Sequence, residues 1–235
     1  MKNFNKAKQI ISDYHKLRLF PEAKNAFRLH EKLAETGYTV QEFMDDKDDE
    51  TIKELNIEIR EIDSFNVLSE VQNGFSGDRN ICLIITQDNP VVYVGSNDFN
   101  EGYCVDNNIL INKIGYSGGT IISGKEDITL GIILENPNMM DYFRRKLKKW
   151  IEENSITTEI IGNDLMVGNN KVVGTAIKQT GNKTLYCIQI SFSVDLDLIQ
   201  KISKKKIIKI PKGLNCFINK KKEDLVKEIK IWLQQ

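Results

Sequence analysis

The stretch 163–176, Asn-Asp-Leu-Met-Val-Gly-Asn-Asn-Lys-Val-Val-Gly-Thr-Ala, constrains the fold more than any other. Leu165–Met166–Val167 form a short apolar run, Gly168–Asn169–Asn170 supply a two- or three-residue turn, and Lys171–Val172–Val173 start a second strand. Such a pattern is a β-hairpin. A lysine heads its second strand and is followed by Gly174-Thr175-Ala176. Small residues there let another backbone or a ligand come close, and a lysine beside such an opening can hold an anion. For a hairpin standing alone, a solvated lysine is the simpler reading.

The rest of the chain supplies a sheet for that hairpin. Ile81–Ile85 is a continuous apolar run of the buried-strand kind. Leu55–Ile62 alternates, Phe65–Val71 reads as a short helix or strand, and further strands are expected at Val91–Val94, Ile109–Ile114, Ile121–Ile122 and Ile128–Leu134. Asp141–Glu153 is an amphipathic helix, with Tyr142, Phe143, Leu147, Trp150 and Ile151 on its apolar face; Arg144, Arg145, Lys146, Lys148 and Lys149 are expected to cover the other. Strands return at 156–161, 165–167, 171–177 and 185–192, and a helix closes the chain at Lys222–Leu233. The expected class is α+β, a mostly antiparallel sheet flanked by helices.

Residues 1–54 differ and are expected to be a helical extension preceding a domain of residues 55–235. Phe4, Ala7, Ile10, Ile11, Tyr14 and Leu17 recur at helical spacing, and Pro21 starts a second helix that Gly37 stops. Thr39 and Glu42 make a capping box for a third, short helix through Met44. Asp45–Glu50 lacks the central glycine of a calcium loop and reads as a solvated linker or a helix start. His15 and His30 read as structural.

Basic and acidic residues balance at 33 each, but unevenly: residues 1–70 hold 11 against 15, and residues 141–235 hold 19 against 10. No long apolar run and no leader pattern occurs, so a cytoplasmic protein without membrane contact is expected. Cys82, Cys104, Cys187 and Cys216 are scattered, and are expected to be reduced and mostly buried.

Four segments in order carry a resemblance. They are Asp88-Asn89-Pro90-Val91-Val92-Tyr93-Val94-Gly95-Ser96-Asn97, Gly115-Tyr116-Ser117-Gly118-Gly119-Thr120-Ile121-Ile122, the hairpin itself, and Ile188–Leu196 with its Ser-Val-Asp-Leu end. Together they resemble the lipoate–protein ligases, which share a fold with biotin–protein ligases and octanoyltransferases. The resemblance implies ATP-dependent activation of lipoic acid, or a similar medium-chain acid, as acyl-AMP, followed by transfer to a lysine of an acidic lipoyl-type carrier domain. It implies Lys171 as the catalytic cation. Ser117, Gly118, Gly119, Thr120, Asn163, Asp164, Gly174, Thr175 and Ala176 are implied as the adenylate-binding set, with Asp164 serving the Mg²⁺ that comes with ATP.

The chain also departs from that family. Two arginines usually precede the Ser-Gly-Gly segment, and here those positions are Ile114 and Gly115. Lys113 and Lys125 are candidate replacements. A cysteine acyltransferase is disfavoured, because Lys212 stands where one octanoyltransferase branch carries its cysteine, and Cys187 and Cys216 are expected in apolar surroundings. Two other readings stay open: a ligase fold that has lost catalysis and serves as a binding or assembly module, and nucleic-acid binding through Lys201–Lys206 and Lys220–Lys222. The basic runs lack interleaved aromatics, which argues against the latter.

Overall fold

The computed structural model describes residues 2–16, 23–95, 98–116, 119–135, 139–204, 207 and 209–234, without the side chains of 14–16, 23–28 and 41. Leu17 and Pro21 lie outside this set. The chain divides into two compact units, Met1–Glu54 and Leu55–Gln235.

The first unit holds three helices, α1 (Phe4–Lys16), α2 (Ala23–Ala34) and α3 (Val40–Glu54). Ala7, Leu29, Leu33, Tyr38 and Phe43 form its core, and Phe4 stacks on Phe43 at 5.3 Å. The capping box is present: Glu42 N–H donates to Thr39 Oγ1 at 3.2 Å, and Thr39 N–H to Glu42 Oε2 at 2.9 Å. Past the box, the helix differs from the short one expected. The acidic run 45–50 lies inside α3, because Ile52 is buried one turn further on and carries the apolar face past the charges. His30 is exposed on α2.

The second unit is built on one large sheet. Its strands are β1 (Glu58–Asp63), β2 (Ile81–Thr86), β6 (Ile128–Leu134), β7 (Glu159–Ile161), β8 (Asp164–Val167), β9 (Asn170–Thr180), β10 (Lys183–Ile190) and β11 (Ile210–Pro211). They run in the order β1-β2-β6-β10-β9-β8-β7, with β11 beside β9. Pairs β1–β2 and β9–β11 are parallel and the others antiparallel. A small sheet of β3 (Val91–Tyr93), β4 (Leu110–Asn112) and β5 (Ile121–Ser123) accompanies it.

Alternation along β10 sorts the two faces of the large sheet. Leu185 and Cys187 join Leu83, Ile85 and Ile133 in a core with Val67 and Val71 of helix α4 (Val67–Ser76), and with Tyr93, Ile114 and Tyr116. Tyr186 faces the other way, towards Phe143 of helix α6 (Met140–Glu152), ring centroids 5.8 Å apart. Helix α8 (Lys222–Gln234) packs there too, its Trp232 carbonyl accepting from Tyr142 Oη. Lys183 is buried on the α4 side. Its ammonium donates to the carbonyls of Gly74, Gly77 and Arg79 at 3.0, 2.5 and 2.9 Å, which neutralises the C-terminal end of α4. Two short helices escape the sequence pattern, α5 (Glu101–Asp106) and α7 (Leu196–Ile202). Each is started by a side-chain cap, Asn100 Oδ1 to Tyr103 N–H and Asp195 Oδ1 to Leu198 N–H.

Candidate active site

The hairpin β8–β9 turns through Gly168–Asn169, with Gly168 at φ +55°, where a side chain would be strained. Val167 pairs with Asn170 and Met166 with Lys171, but Leu165 pairs with Val173 and Asp164 with Gly174. One extra residue on β9 therefore makes a bulge at Lys171–Val172. Plain alternation would send Lys171 to the face of Val173 and Thr175; the bulge re-aims it to the face of Gly174. Lys171 Nζ lies 2.9 Å from Asp164 Oδ1. A Cβ built on Gly174 would stand 2.8 Å from Lys171 Cε and Nζ, so the glycine leaves room for the lysine itself.

A second lysine reaches the same carboxylate. β11 lies parallel to the start of β9, with Ile210 opposite Asn170 and Pro211 opposite Lys171, and Lys212 N–H donates to Lys171 O at 3.0 Å. Lys209, one residue before β11, donates from Nζ to Asp164 Oδ2 at 2.6 Å and to Ile161 O at 2.9 Å. Burial pushes the Asp164 carboxyl up, but the hydrogen bond from Lys209 and the charge of Lys171 outweigh it. The result lies below the usual aspartate value. Asp164 is thus an ionised carboxylate shared by two ammonium groups.

Both lysines line a cavity of about 190 Å³. Its other walls include Thr120 and Ile122 from the glycine-rich segment, Ser193 from the Ser-Val-Asp-Leu segment, and the apolar Leu198, Ile199 and Ile207. Three of the four sequence segments thereby meet in one place. Ser117 and Gly118 lie outside the described residues. Gly119 and Thr120 are held near Asp98, to which Thr120 Oγ1 donates. The close approach of this segment depends on a different glycine from those expected. At Gly95 a Cβ would stand 2.6 Å from the Tyr116 ring and 2.9 Å from Gly119 O. Tyr116 is buried there, and its hydroxyl donates to Tyr93 O at 2.7 Å.

Asp127 also lines the cavity. Gly124 N–H donates to its Oδ2 at 2.8 Å, Phe192 N–H to its Oδ1 at 3.0 Å, and Gln189 Nε2 to its Oδ2 at 3.2 Å. Burial pushes its carboxyl up to about 6, and these donors hold it from rising further. Asp127, Gln189 and Lys209 carried no recognisable sequence signal beyond polarity beside strands.

The remaining expected residues lie elsewhere. Thr175 alternates to the opposite face from Gly174. There its hydroxyl donates to Asn163 O at 2.6 Å, and Arg144 Nη2 donates both to Thr175 Oγ1 at 2.8 Å and to Asn163 Oδ1 at 3.1 Å. Ala176 is packed in the core. Arg144 corrects the helix reading, since it is buried rather than on the solvent face. Met140, Leu147 and Ile151 are all buried and lie one and two turns away on α6, so position 144 falls inside the apolar stripe. Of the suggested substitutes for the arginine pair, Lys113 is exposed and paired with Glu101 at 2.8 Å. Lys178 is the cation near Gly115, its Nζ donating to Ile114 O at 2.6 Å.

Among the described residues, no group of three or more His, Cys, Asp or Glu side chains could hold a metal ion, and no helix is long and apolar enough to cross a membrane. Burial pushes the Cys82 and Cys187 thiols up to about 12, which suits inert core cysteines. Cys216 is exposed, not in apolar surroundings, because it sits in the short turn 214–216 on the surface. Lys212 is exposed over the Phe217 ring.

Comparison with known proteins identifies the fold and the family. A search of curated proteins found no match. Among solved structures, P. falciparum LipL1 in complex with lipoate superposes with a TM-score of 0.60 at 18% identity, over 76% of this chain and 62% of that one. The chain therefore spans less than two thirds of LipL1. Lipoate-protein ligase A bound with ATP gives 0.57 at 13% identity, over 75% of this chain and 82% of that one. A putative lipoate protein ligase from T. acidophilum with bound lipoic acid gives 0.56 at 13% identity, over 75% and 83%. At these identities the likeness shows the fold. The model of the lipoyl protein ligase A/B catalytic domain matches residues 65–230. That match takes in the bulged hairpin, the glycine-rich segment and the cavity between them, and the chain belongs to the lipoyl protein ligase A/B catalytic-domain family.

Proposed function

We propose that the protein is an ATP-dependent ligase that activates lipoate, or a similar medium-chain acid, as an acyl-adenylate and transfers the acyl group to a lysine of a carrier protein. The observation that carries this reading is Lys171, turned by the bulge into a cavity lined by a second lysine and by apolar side chains. An acid with an apolar tail fits that lining: carboxylate at Lys171, chain along Leu198, Ile199 and Ile207. A cavity of about 190 Å³ is smaller than the roughly 300–1,000 Å³ usual for ligand sites, so it suits one part of the substrate pair, with the nucleotide extending beyond it.

In the first step a carboxylate oxygen attacks the α-phosphorus of ATP, the acyl–phosphate bond forms, and pyrophosphate leaves. Both reactants are anions. Lys171 lowers their repulsion and stabilises the charge gathering on the phosphoryl oxygens. In the second step the carrier lysine amine attacks the acyl carbonyl, AMP leaves, and an amide results. Thr120 and the backbone of Gly119 border the phosphate. Asp164 would hold the Mg²⁺ that comes with ATP by exchanging a lysine for the ion, since Mg²⁺ typically needs only one or two protein carboxylates besides nucleotide oxygens and water. The structure of a T. acidophilum bipartite lipoate protein ligase and its E2 lipoyl domain supports a carrier domain as the acceptor. The basic surface of residues 141–235 suits an acidic one, and a cytoplasmic location fits such a reaction.

A second reading, a binding or assembly module without turnover, is favoured by Ile114 and Gly115 in place of arginines and by the prior engagement of both lysines with Asp164. Incubation with α-labelled ATP and lipoate, octanoate or biotin separates the two. Acyl-AMP with lipoate or octanoate supports the ligase; no acyl-AMP with any acid supports the module.

A further inference from the structure

We infer that Lys209 is a substrate-contacting residue: with Lys171 it forms a two-cation cradle for the reacting anion, and Asp164 holds the two ammonium groups in place until that anion arrives. The inference takes the identity of the anion, a carboxylate or the α-phosphate it attacks, from the ligase reading. The cradle itself rests on geometry.

Three observations carry it. The first is a local imbalance of charge. Asp164 gives one oxygen to each lysine, Oδ1 to Lys171 at 2.9 Å and Oδ2 to Lys209 at 2.6 Å, so one carboxylate faces two cations. Two further carboxylates, Asp127 and Asp195, line the cavity itself, and each is already engaged by donors of the protein. Asp127 accepts from Gly124 N–H, Phe192 N–H and Gln189, and Asp195 caps α7 at Leu198 N–H. Within the cluster of Lys171, Lys209 and Asp164 the ammonium groups therefore exceed the carboxylate by one charge.

The second is preorganisation. Lys209 is placed by main-chain pairing, since the β11 register sets Pro211 opposite Lys171 and so brings the residue two positions earlier to the same carboxylate. Its ammonium is fixed by two acceptors, Asp164 and Ile161 O, and an ammonium has three N–H groups, which leaves one available to a ligand. A cation held in advance binds an anion without losing further freedom. The third is that both lysines border the same cavity, with apolar residues adjoining them, so an anionic head can meet the cradle while its chain is sheltered.

The test compares wild type, Lys209→Ala and Lys209→Gln by calorimetry with lipoate alone and ATP alone, and by acyl-AMP yield. Lys209→Gln keeps a donor for Ile161 O while removing the charge, so it separates charge from tethering. Both variants are expected to lose about tenfold or more in affinity for lipoate, for ATP, or for both, which also tells carboxylate from phosphate. Lys209→Ala could also loosen the fold; the Gln variant then decides. Wild-type affinity for both ligands in Lys209→Gln overturns the cradle, as does failure of the wild type to bind either. If the wild type binds lipoate or ATP and Lys209→Gln weakens it, yet no acid yields acyl-AMP, the cradle stands and the ligase reading falls.

Discussion

Gly174 and Lys171 share one volume: a methyl group on the glycine would stand 2.8 Å from the lysine's Cε and Nζ. The clash is with the far end of a flexible side chain, which can swing away. Gly174→Ala should therefore leave the melting temperature within a few degrees, since strand alanine also loses less conformational entropy than glycine. It should lower acyl-AMP yield by about tenfold, because Lys171 leaves its place beside Asp164. A large loss of thermal stability with unchanged yield per folded molecule would show that the glycine serves the strand alone.

Lys171→Ala should cut acyl-AMP formation by roughly 10²–10³, the usual effect of losing one transition-state donor. Arginine there should rescue little, because a planar fork does not replace a compact ammonium in the space above Gly174. The lysine is a third exposed and Asp164 keeps Lys209, so stability should change by only about 0.5 kcal/mol. Single-turnover yield and a thermal melt on the same samples check both halves.

Asp164→Asn separates two roles of the carboxylate. If it chiefly holds the lysines as an internal counter-ion, the neutral amide should tighten binding of lipoate in the absence of metal. If it serves Mg²⁺, the variant should lose the dependence of ATP affinity on Mg²⁺. Calorimetry with and without Mg²⁺ reads each effect independently.

Asp127 should make stability depend on mildly acidic pH. Its folded-state value near 6 lies above the ordinary 3.8, so the folded protein binds the extra proton between those values. Its contribution is fully present below about 4 and is lost as pH rises through 6, at most on the order of 3 kcal/mol. Carboxylates held low, such as Asp164, act in the opposite sense. The difference between wild type and Asp127→Asn isolates the effect: denaturant midpoints should converge or diverge mainly between pH 4 and 6. A flat difference across that range would contradict the burial-raised value.

The hairpin, the capping box and the buried strand Ile81–Ile85 were legible because each is set by neighbours in sequence: a turn, two facing side chains, a run of apolar residues. Helices α5 and α7 were not, since six or seven residues give too little periodicity to stand out. Lys171 could be singled out by the small residues after it. Its direction could not, because a bulge is a property of a pair of strands and plain alternation along β9 points the other way. Arg144 looked like one of five basic residues on a solvent face, and Lys209 like one of several in a basic run. Partners distant in sequence, Thr175 and Asp164, distinguish each from its neighbours.

The pairing of Lys209 with Asp164 also orders events in time. The two residues are 45 positions apart, whereas the hairpin that joins Asp164 to Lys171 closes through a two-residue turn. Local zipping is fast, and closure of a long loop comes later. A chain folded through β10 but not beyond it thus has Asp164 matched to a single lysine, and completes its cation pair only when β11 returns to the sheet.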